Sequence, residues 1–482
     1  MFRKFIYWFS LLALLVIAGG YGFLRTKLPQ RSGEIILPGL NNKVDVVFDK
    51  WAIPHIEAEN ELDAYLALGY LHAQDRIFQM ELMIRVAQGR LSEMLGEVII
   101  DVDRYFRTLG IHRYAEKYAA DHFQKNPQRV QKALKAYLSG LNAFVASGAT
   151  PIEFTLLGIP KREYKIDDLV CIAAYMSYTF TNAVRQDPLI SHIHKTFGSS
   201  YLKDLAINWP AGDTQIKVSK NQSSEDLELA ALFSEMDNVL AQIPPFFGSN
   251  SWVVSGSRTK SGKVIFANDP HIGYAAPATW YEAHLKTPEW ELYGHHIAGI
   301  PFAILGHNRR MAWGVTMLQN DDLDYYREQA NPANPDQVWF RDHWEDLKII
   351  EETISIKGGD DISLRVRISR HGPIINDVLE SVEKTESHPV ALAWEMLADY
   401  ENSTEQVFYD LGHSNSLEDS QTAVSKLHAP GLNINYGDAE GNIAWWAAAR
   451  LLIRPSHVNS FIILDGASGK DEVLGYHDFS GN

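Results

Sequence analysis

Cysteine is nearly missing from this sequence. Cys171 is its single cysteine in 482 residues, so no intramolecular disulfide can form and no multi-cysteine zinc or iron–sulfur centre can be built. That thiol stands in the apolar run Leu169-Val170-Cys171-Ile172 and reads as core packing. Positive charge is also short. The 44 Lys and Arg against 60 Asp and Glu leave a formal net charge of −16, and no long basic run interrupts it. Nucleic acid is therefore excluded as a partner. The signatures of common enzyme classes are absent too. There is no G-x-S-x-G elbow of an α/β-hydrolase, no H-E-x-x-H of a zinc protease and no G-x-G-x-x-G of a dinucleotide fold. What remains is a globular composition, 46% hydrophobic and 22% charged, in a chain long enough for a large core or two to three domains.

One long uncharged run is present, and it lies at the start. After Arg3 and Lys4, residues 5–24 carry no charge. A basic n-region followed by an apolar stretch is the pattern of an export signal, and the stretch is also long enough to span a bilayer. Residues 1–25 thus read as a signal peptide or as an uncleaved N-terminal membrane anchor. Either reading places the protein in the periplasm or cell envelope, with residues 5–24 meeting the membrane if they are retained.

Short strands are predicted at 34–37, 44–48 and 53–56. Helical periodicity then runs from Asn60 to about Leu95, with further helices over 129–146 and 169–180, so that 34–215 forms a mostly helical region. Residues 216–248 read as a spacer, polar at first and closing on Pro244-Pro245. From 249 to 482 the pattern changes to strands with tight turns, including a hairpin around Gly358-Gly359.

At the junction stands Gly248-Ser249-Asn250-Ser251-Trp252-Val253-Val254. A Gly-Ser pair between a spacer and a strand has two readings. It is a turn, or it is the site of an N→O acyl shift. In the shift, the Ser249 hydroxyl attacks the Gly248 carbonyl, and hydrolysis of the ester leaves Ser249 as a new N-terminus. An α-amine has an ordinary pKa near 7.7–8.0. It can therefore serve as base for its own hydroxyl.

Taken with the motifs that follow, the sequence resembles the penicillin acylase family of N-terminal nucleophile (Ntn) hydrolases. The resemblance is carried by the Gly248–Val254 stretch, by Asn268-Asp269-Pro270-His271-Ile272-Gly273, by Gly306-His307-Asn308 with Ala312-Trp313-Gly314, and by Asp321-Asp322-Leu323-Asp324. In the first half it is carried by Ile53-Pro54-His55-Ile56 and Gly69-Tyr70-Leu71-His72-Ala73-Gln74-Asp75-Arg76. The resemblance implies an α+β fold, the four-layer αββα Ntn sandwich, with an α-chain-like region and a β-chain-like region cut from one precursor at Gly248–Ser249. It implies hydrolysis of a small N-acyl amide, with Ser249 as nucleophile. His271 would orient the amine or carry protons, and the Met317 backbone N–H would serve the oxyanion hole. It implies a structural calcium ion held by Asp187, Asp321, the Leu323 carbonyl and Asp324. No organic cofactor is implied. A pocket of Phe180, Val184, Ile272, Leu305 and Leu432 would be apolar, suited to a medium aliphatic or aryl-acetyl group.

The sequence departs from the family pattern at its C-terminus. The family's β chain continues to a catalytic Asn that completes the oxyanion hole, and that Asn is not found here. The expectation is therefore of a C-terminally truncated member. The alternative is an inactive remnant or envelope-tethered binding protein, and a generic exported β-rich structural protein is the third reading.

Overall fold

The computed structural model describes residues 2–123, 128–181, 183–204, 246–318, 320–378, 388–398, 401 and 403–479. The spacer expected over 216–248 lies outside these residues as far as 245.

Phe2–Arg25 is one helix with no buried side chain. At 1.5 Å per residue it is about 36 Å long. It is long and apolar enough to cross a membrane. Residues 34–37 form no strand, which corrects the first expected element; Ile36 there is 95% exposed, and among the described residues no strand pairs with this segment. The first strands are β1 (Asp45–Phe48) and β2 (Pro54–Glu57).

The Glu61–Gln88 helix begins where its sequence signals place it. Asn60 caps it by accepting the Asp63 N–H at 2.9 Å, and Gly89 closes it in the left-handed conformation at φ 59°. This helix packs on Arg129–Ser147 with almost no separation. A Cβ on Gly69 would fall 1.9 Å from the Tyr137 carbonyl oxygen, and one on Gly140 would fall 1.8 Å from that of Leu66. Glycine is required at both crossing points.

The second half supplies β3 (Phe246–Val254), β4 (Ile265–Ile272), β5 (Trp280–Lys286), β6 (Glu291–Ile297), β7 (Leu305–Asn308), β8 (Met311–Met317) and β9 (Leu323–Arg327). It continues with β10 (Gln329–Asn331), β11 (Asn334–Phe340), β12 (His343–Asp346), β13 (Lys348–Ile354), β14 (Ile362–Ile368), β15 (Val390–Trp394), β16 (Leu432–Asp438) and β17 (Ile443–Ala448). The hairpin expected around Gly358-Gly359 is β13–β14. The main sheet has eight strands in the order β1-β2-β5-β6-β7-β8-β16-β17, antiparallel except where β2 meets β5. The sheet thus joins the two halves of the chain, which share one large core instead of forming separate ones.

Alternation along the strands gives the sheet two different faces. Tyr281, Ala283, Leu285, Leu292 and His296 are buried on one face, where His72 of the Glu61–Gln88 helix meets the Tyr281 ring edge-on. The β3–β4 hairpin covers the other face at its β8–β16 end. Small residues make room for it: a Cβ on Gly314 would lie 2.4 Å from Asn268 Oδ1, and one on Gly437 2.8 Å from Val264 Cγ1.

Candidate active site

The Gly248–Ser249 bond lies inside β3, not in a turn, and Gly248 is nearly extended at φ 159°. The β3–β4 register runs evenly from Val254↔Ile265 to Gly248↔His271. It then shifts, so that Phe246 pairs with Ile272. A bulge therefore sits directly ahead of Gly248. Bulges bend a strand and re-aim its side chains, and they concentrate beside active sites.

Asn268 fixes this hairpin onto the main sheet. Its Oδ1 accepts the Val315 N–H at 2.9 Å, and its Nδ2 donates to the carbonyls of Val315 at 3.1 Å and Asn250 at 3.0 Å. Three hydrogen bonds from one amide lock β3 against β8. Two residues beyond Val315, the Met317 N–H donates to Ser249 Oγ at 3.4 Å. The Met317 carbonyl accepts from Asn433 Nδ2 at 3.0 Å, and Asn433 Oδ1 in turn accepts the Trp445 indole Nε1–H at 3.1 Å. The hydroxyl and the backbone donor that the resemblance pairs are thus neighbours, and nothing in the sequence marks Asn268 as their clamp. Its motif and that of Gly314 are both visible in the sequence, but nothing local says that one faces the other.

His271 stands elsewhere. It is paired with Gly248, while Ser249 pairs with Pro270, so the His271 and Ser249 side chains leave opposite faces of the hairpin. Its Nε2 lies 2.9 Å from Asp269 Oδ2 and 3.3 Å from Asn250 Nδ2, and the side chain is half exposed. It flanks the residue that would be cut away, not the hydroxyl.

Of the expected pocket residues, Phe180 and Leu432 line one cavity together with Met176, Val315, Ile297 and Ile304. Val184, Ile272 and Leu305 are not among the described residues lining it. Val184 and Leu305 are buried in the core, and the Val184 carbonyl accepts the Tyr325 O–H at 3.1 Å. Leu432 is the cross-strand partner of Met317, but neither Met317 nor Ser249 lines the cavity, which lies on the helix-packed face of the sheet, opposite the β3–β4 hairpin.

The acidic residues gather behind β9. Asp187 is buried with both carboxyl oxygens unpartnered, and Asp324 is buried with Oδ1 unpartnered. Burial, followed by the nearby Asp321 and Asp324, pushes the Asp187 carboxyl up to about 9. Burial likewise pushes Asp324 up to about 7, against the pull of Arg454. Nothing in the sequence marks Arg454 as their partner. Its Nε donates to Asp324 Oδ2 at 3.0 Å, and its Nη2 donates to that oxygen at 2.9 Å and to the Asp321 carbonyl at 2.6 Å. Among the described residues, no group of three His, Cys, Asp or Glu side chains is assembled to hold a metal. The donor chemistry nonetheless suits a hard cation, because three orphaned carboxyl oxygens stand in a buried site.

The chain as a whole is similar to known proteins. An acyl-homoserine lactone acylase of Pseudomonas aeruginosa is 27% identical over 91% of this chain and 53% of its own length. The penicillin acylase 2 proenzyme of Pseudomonas sp. (strain SE83) is 31% identical over 94% of this chain and 58% of its own length. Among solved structures, a thermostable penicillin G acylase from Alcaligenes faecalis overlaps 48% of this chain and 40% of that chain, at 24% identity and a TM-score of 0.43. That overlap is too partial to define the fold. The chain spans about half the length of the curated relatives it matches. The family model for penicillin amidase matches residues 43–482, and the chain belongs to that family.

Proposed function

We propose that this chain carries the nucleophile of an N-acyl amide hydrolase that matures by cutting itself at Gly248–Ser249. The observation that carries the reading is the 3.4 Å contact from the Met317 N–H to Ser249 Oγ, held by the Asn268 clamp. In maturation, Ser249 Oγ bonds to the Gly248 carbonyl carbon and passes its proton to the departing Ser249 nitrogen as the peptide C–N bond breaks. Water then hydrolyses the resulting ester. Gly248 ends as a carboxylate, and Ser249 keeps its hydroxyl and gains a free α-amine.

In catalysis that amine takes the Ser249 proton while Oγ bonds to the substrate carbonyl carbon. The Met317 N–H stabilises the oxyanion, and a backbone donor makes no demand on the thioether side chain. The proton passes to the leaving amine as the amide C–N bond breaks. Water then releases the acid from Ser249. The four-layer αββα arrangement, the division at 248/249, export through residues 1–25 and the supporting place of His271 beside Gly248 belong to the same reading. Hydrolysis of a chromogenic N-acyl anilide tests it: turnover lost in Ser249→Ala is the expected result, and turnover that survives there contradicts it.

Asn268→Ala removes all three clamping hydrogen bonds. At about 1 kcal/mol each, self-cleavage should slow by on the order of a hundredfold. The time course of precursor loss on a denaturing gel reads this directly, and an unchanged rate would remove Asn268 from the account.

A calcium ion at Asp187, Asp321, the Leu323 carbonyl and Asp324 is part of the proposal. It would neutralise the crowded carboxyls and brace β9. Chelation should then lower the melting temperature, and Asp324→Ala should abolish that sensitivity. Equal melting temperatures with and without chelator would leave these residues as a carboxylate–Arg454 cluster alone.

A further inference from the structure

The donor that meets the nucleophile stands at a strand end. Met317 is the last residue of β8, and its pairing with Leu432 is the last of the β8–β16 ladder. Strand ends open more readily than strand centres, so a donor placed there depends on other supports. Two are present. Ahead of Met317, Asn268 grips the N–H and the carbonyl of Val315. Beyond it, the Leu318 N–H donates to the Gly431 carbonyl at 3.1 Å, and Asn433 Nδ2 donates to the Met317 carbonyl at 3.0 Å.

Asn433 is itself held. Its Oδ1 accepts the Trp445 indole Nε1–H at 3.1 Å, so both ends of the amide are engaged. An indole only donates and a carbonyl only accepts, which fixes the amide oxygen toward Trp445 and the nitrogen toward Met317. Trp445 is 56% exposed, so its N–H could be satisfied by water, yet it is spent on Asn433. Asn433 pairs with Thr316 and Asn435 with Gly314, so the Asn433 side chain stands on the face of the sheet that the β3–β4 hairpin covers. That is the face of the Ser249 hydroxyl.

We propose that Asn433, locked by Trp445, is a positioning residue for the oxyanion donor. It holds the Met317 carbonyl so that the N–H of the same residue stays aimed at Ser249 Oγ. The proposal rests on the reading of Ser249 as nucleophile. A residue has only two soft backbone torsions. Asn268 on one side of Met317 and Asn433 on the other restrain both, and a donor fixed in advance costs no reorganisation when the oxyanion forms.

The test follows self-cleavage of the purified chain as loss of precursor on a denaturing gel. Asn433→Leu should slow it about tenfold, the equivalent of one net hydrogen bond. Trp445→Phe should slow it less, because Asn433 stays in place but loses its anchor. Asn433→Asp supplies a signature that mere loss of packing does not give. Its neutral carboxyl can donate to the Met317 carbonyl as the amide does, whereas its carboxylate cannot. The rate of Asn433→Asp relative to the unaltered chain should therefore rise from about pH 7.5 to about pH 4.5, toward the ordinary aspartate pKa near 3.9. The same ratio for Asn433→Leu should stay flat. β3, β8 and β17 carry no Asp, Glu, His, Lys or Arg, and Asp269 and His271 of β4 leave the opposite face of the hairpin. On β16 itself the titratable groups are Tyr436 and Asp438, hydrogen-bonded to each other at 2.8 Å toward its far end.

Asn433→Leu cut at the unaltered rate would overturn the proposal, and so would an Asn433→Asp ratio as flat as that of Asn433→Leu. Should Asn433→Leu fail to fold, a flat ratio for Asn433→Asp or an unslowed Trp445→Phe would overturn it instead. An unaltered chain that stays uncut would sink the catalytic reading and this proposal with it, whereas cleavage indifferent to Asn433 would sink this proposal alone.

Discussion

Ser249→Ala should leave the chain uncut at Gly248–Ser249 however long it is incubated. The shift begins with an oxygen lone pair at the β position of residue 249, and alanine has none. No other hydroxyl of β3 can substitute through the same geometry, because the Met317 N–H lies 3.4 Å from Ser249 Oγ itself. Ser249→Cys should retain part of the cleavage, since a thiol can attack the same carbonyl. The expected loss in the alanine variant is complete, not graded. Two fragments with the same new terminus from Ser249→Ala protein would point to an external protease and remove self-cleavage from the mechanism.

The largest effect on stability is expected at the crossing of the Glu61–Gln88 and Arg129–Ser147 helices. A Cβ on Gly140 meets the Leu66 carbonyl oxygen at 1.8 Å, and the nearest atoms are all backbone. No flexible side chain can move aside, so the two helices must separate. Overpacking usually costs about 1–3 kcal/mol, and a backbone-on-backbone clash belongs at the top of that range or beyond it. Separation would also open the core around Leu66, Tyr70 and Tyr137, all buried here. Gly140→Ala should lower the urea midpoint markedly, and Gly140→Val should yield no folded protein. Midpoints unchanged by Gly140→Ala would mean that the helices do not touch there.

Much of the local architecture is legible in the sequence because its causes are local. Asn60 and Gly89 bound their helix through hydrogen bonds to neighbours within a few residues. The β13–β14 hairpin follows from alternation on both sides of Gly358-Gly359. The strand expected at 34–37 fails for the opposite reason. Its apolar run is real, but a strand needs a partner, and among the described residues no strand pairs with it. The pairing of Ser249 with the Met317 N–H is legible because the family motifs keep both at fixed spacing.

What escapes the sequence is contact across long separations. Asn268 meets Gly314 and Val315 across 46 and 47 positions, Arg454 meets Asp324 across 130, and Tyr118 meets Glu405 across 287. A lone Asn, Arg or Glu carries no mark of such a partner. The pocket divides on the same principle. Phe180 and Leu432 reach the cavity, whereas the Val184 and Leu305 side chains pack into the core, because sheet register and helix packing decide which way each residue faces.

The most direct test of the account is the intact mass of the purified chain, paired with N-terminal sequencing of its fragments. The account predicts a break between Gly248 and Ser249, with Ser249-Asn250-Ser251-Trp252 as the new terminus. An uncut chain, or a break at any other bond, would contradict it.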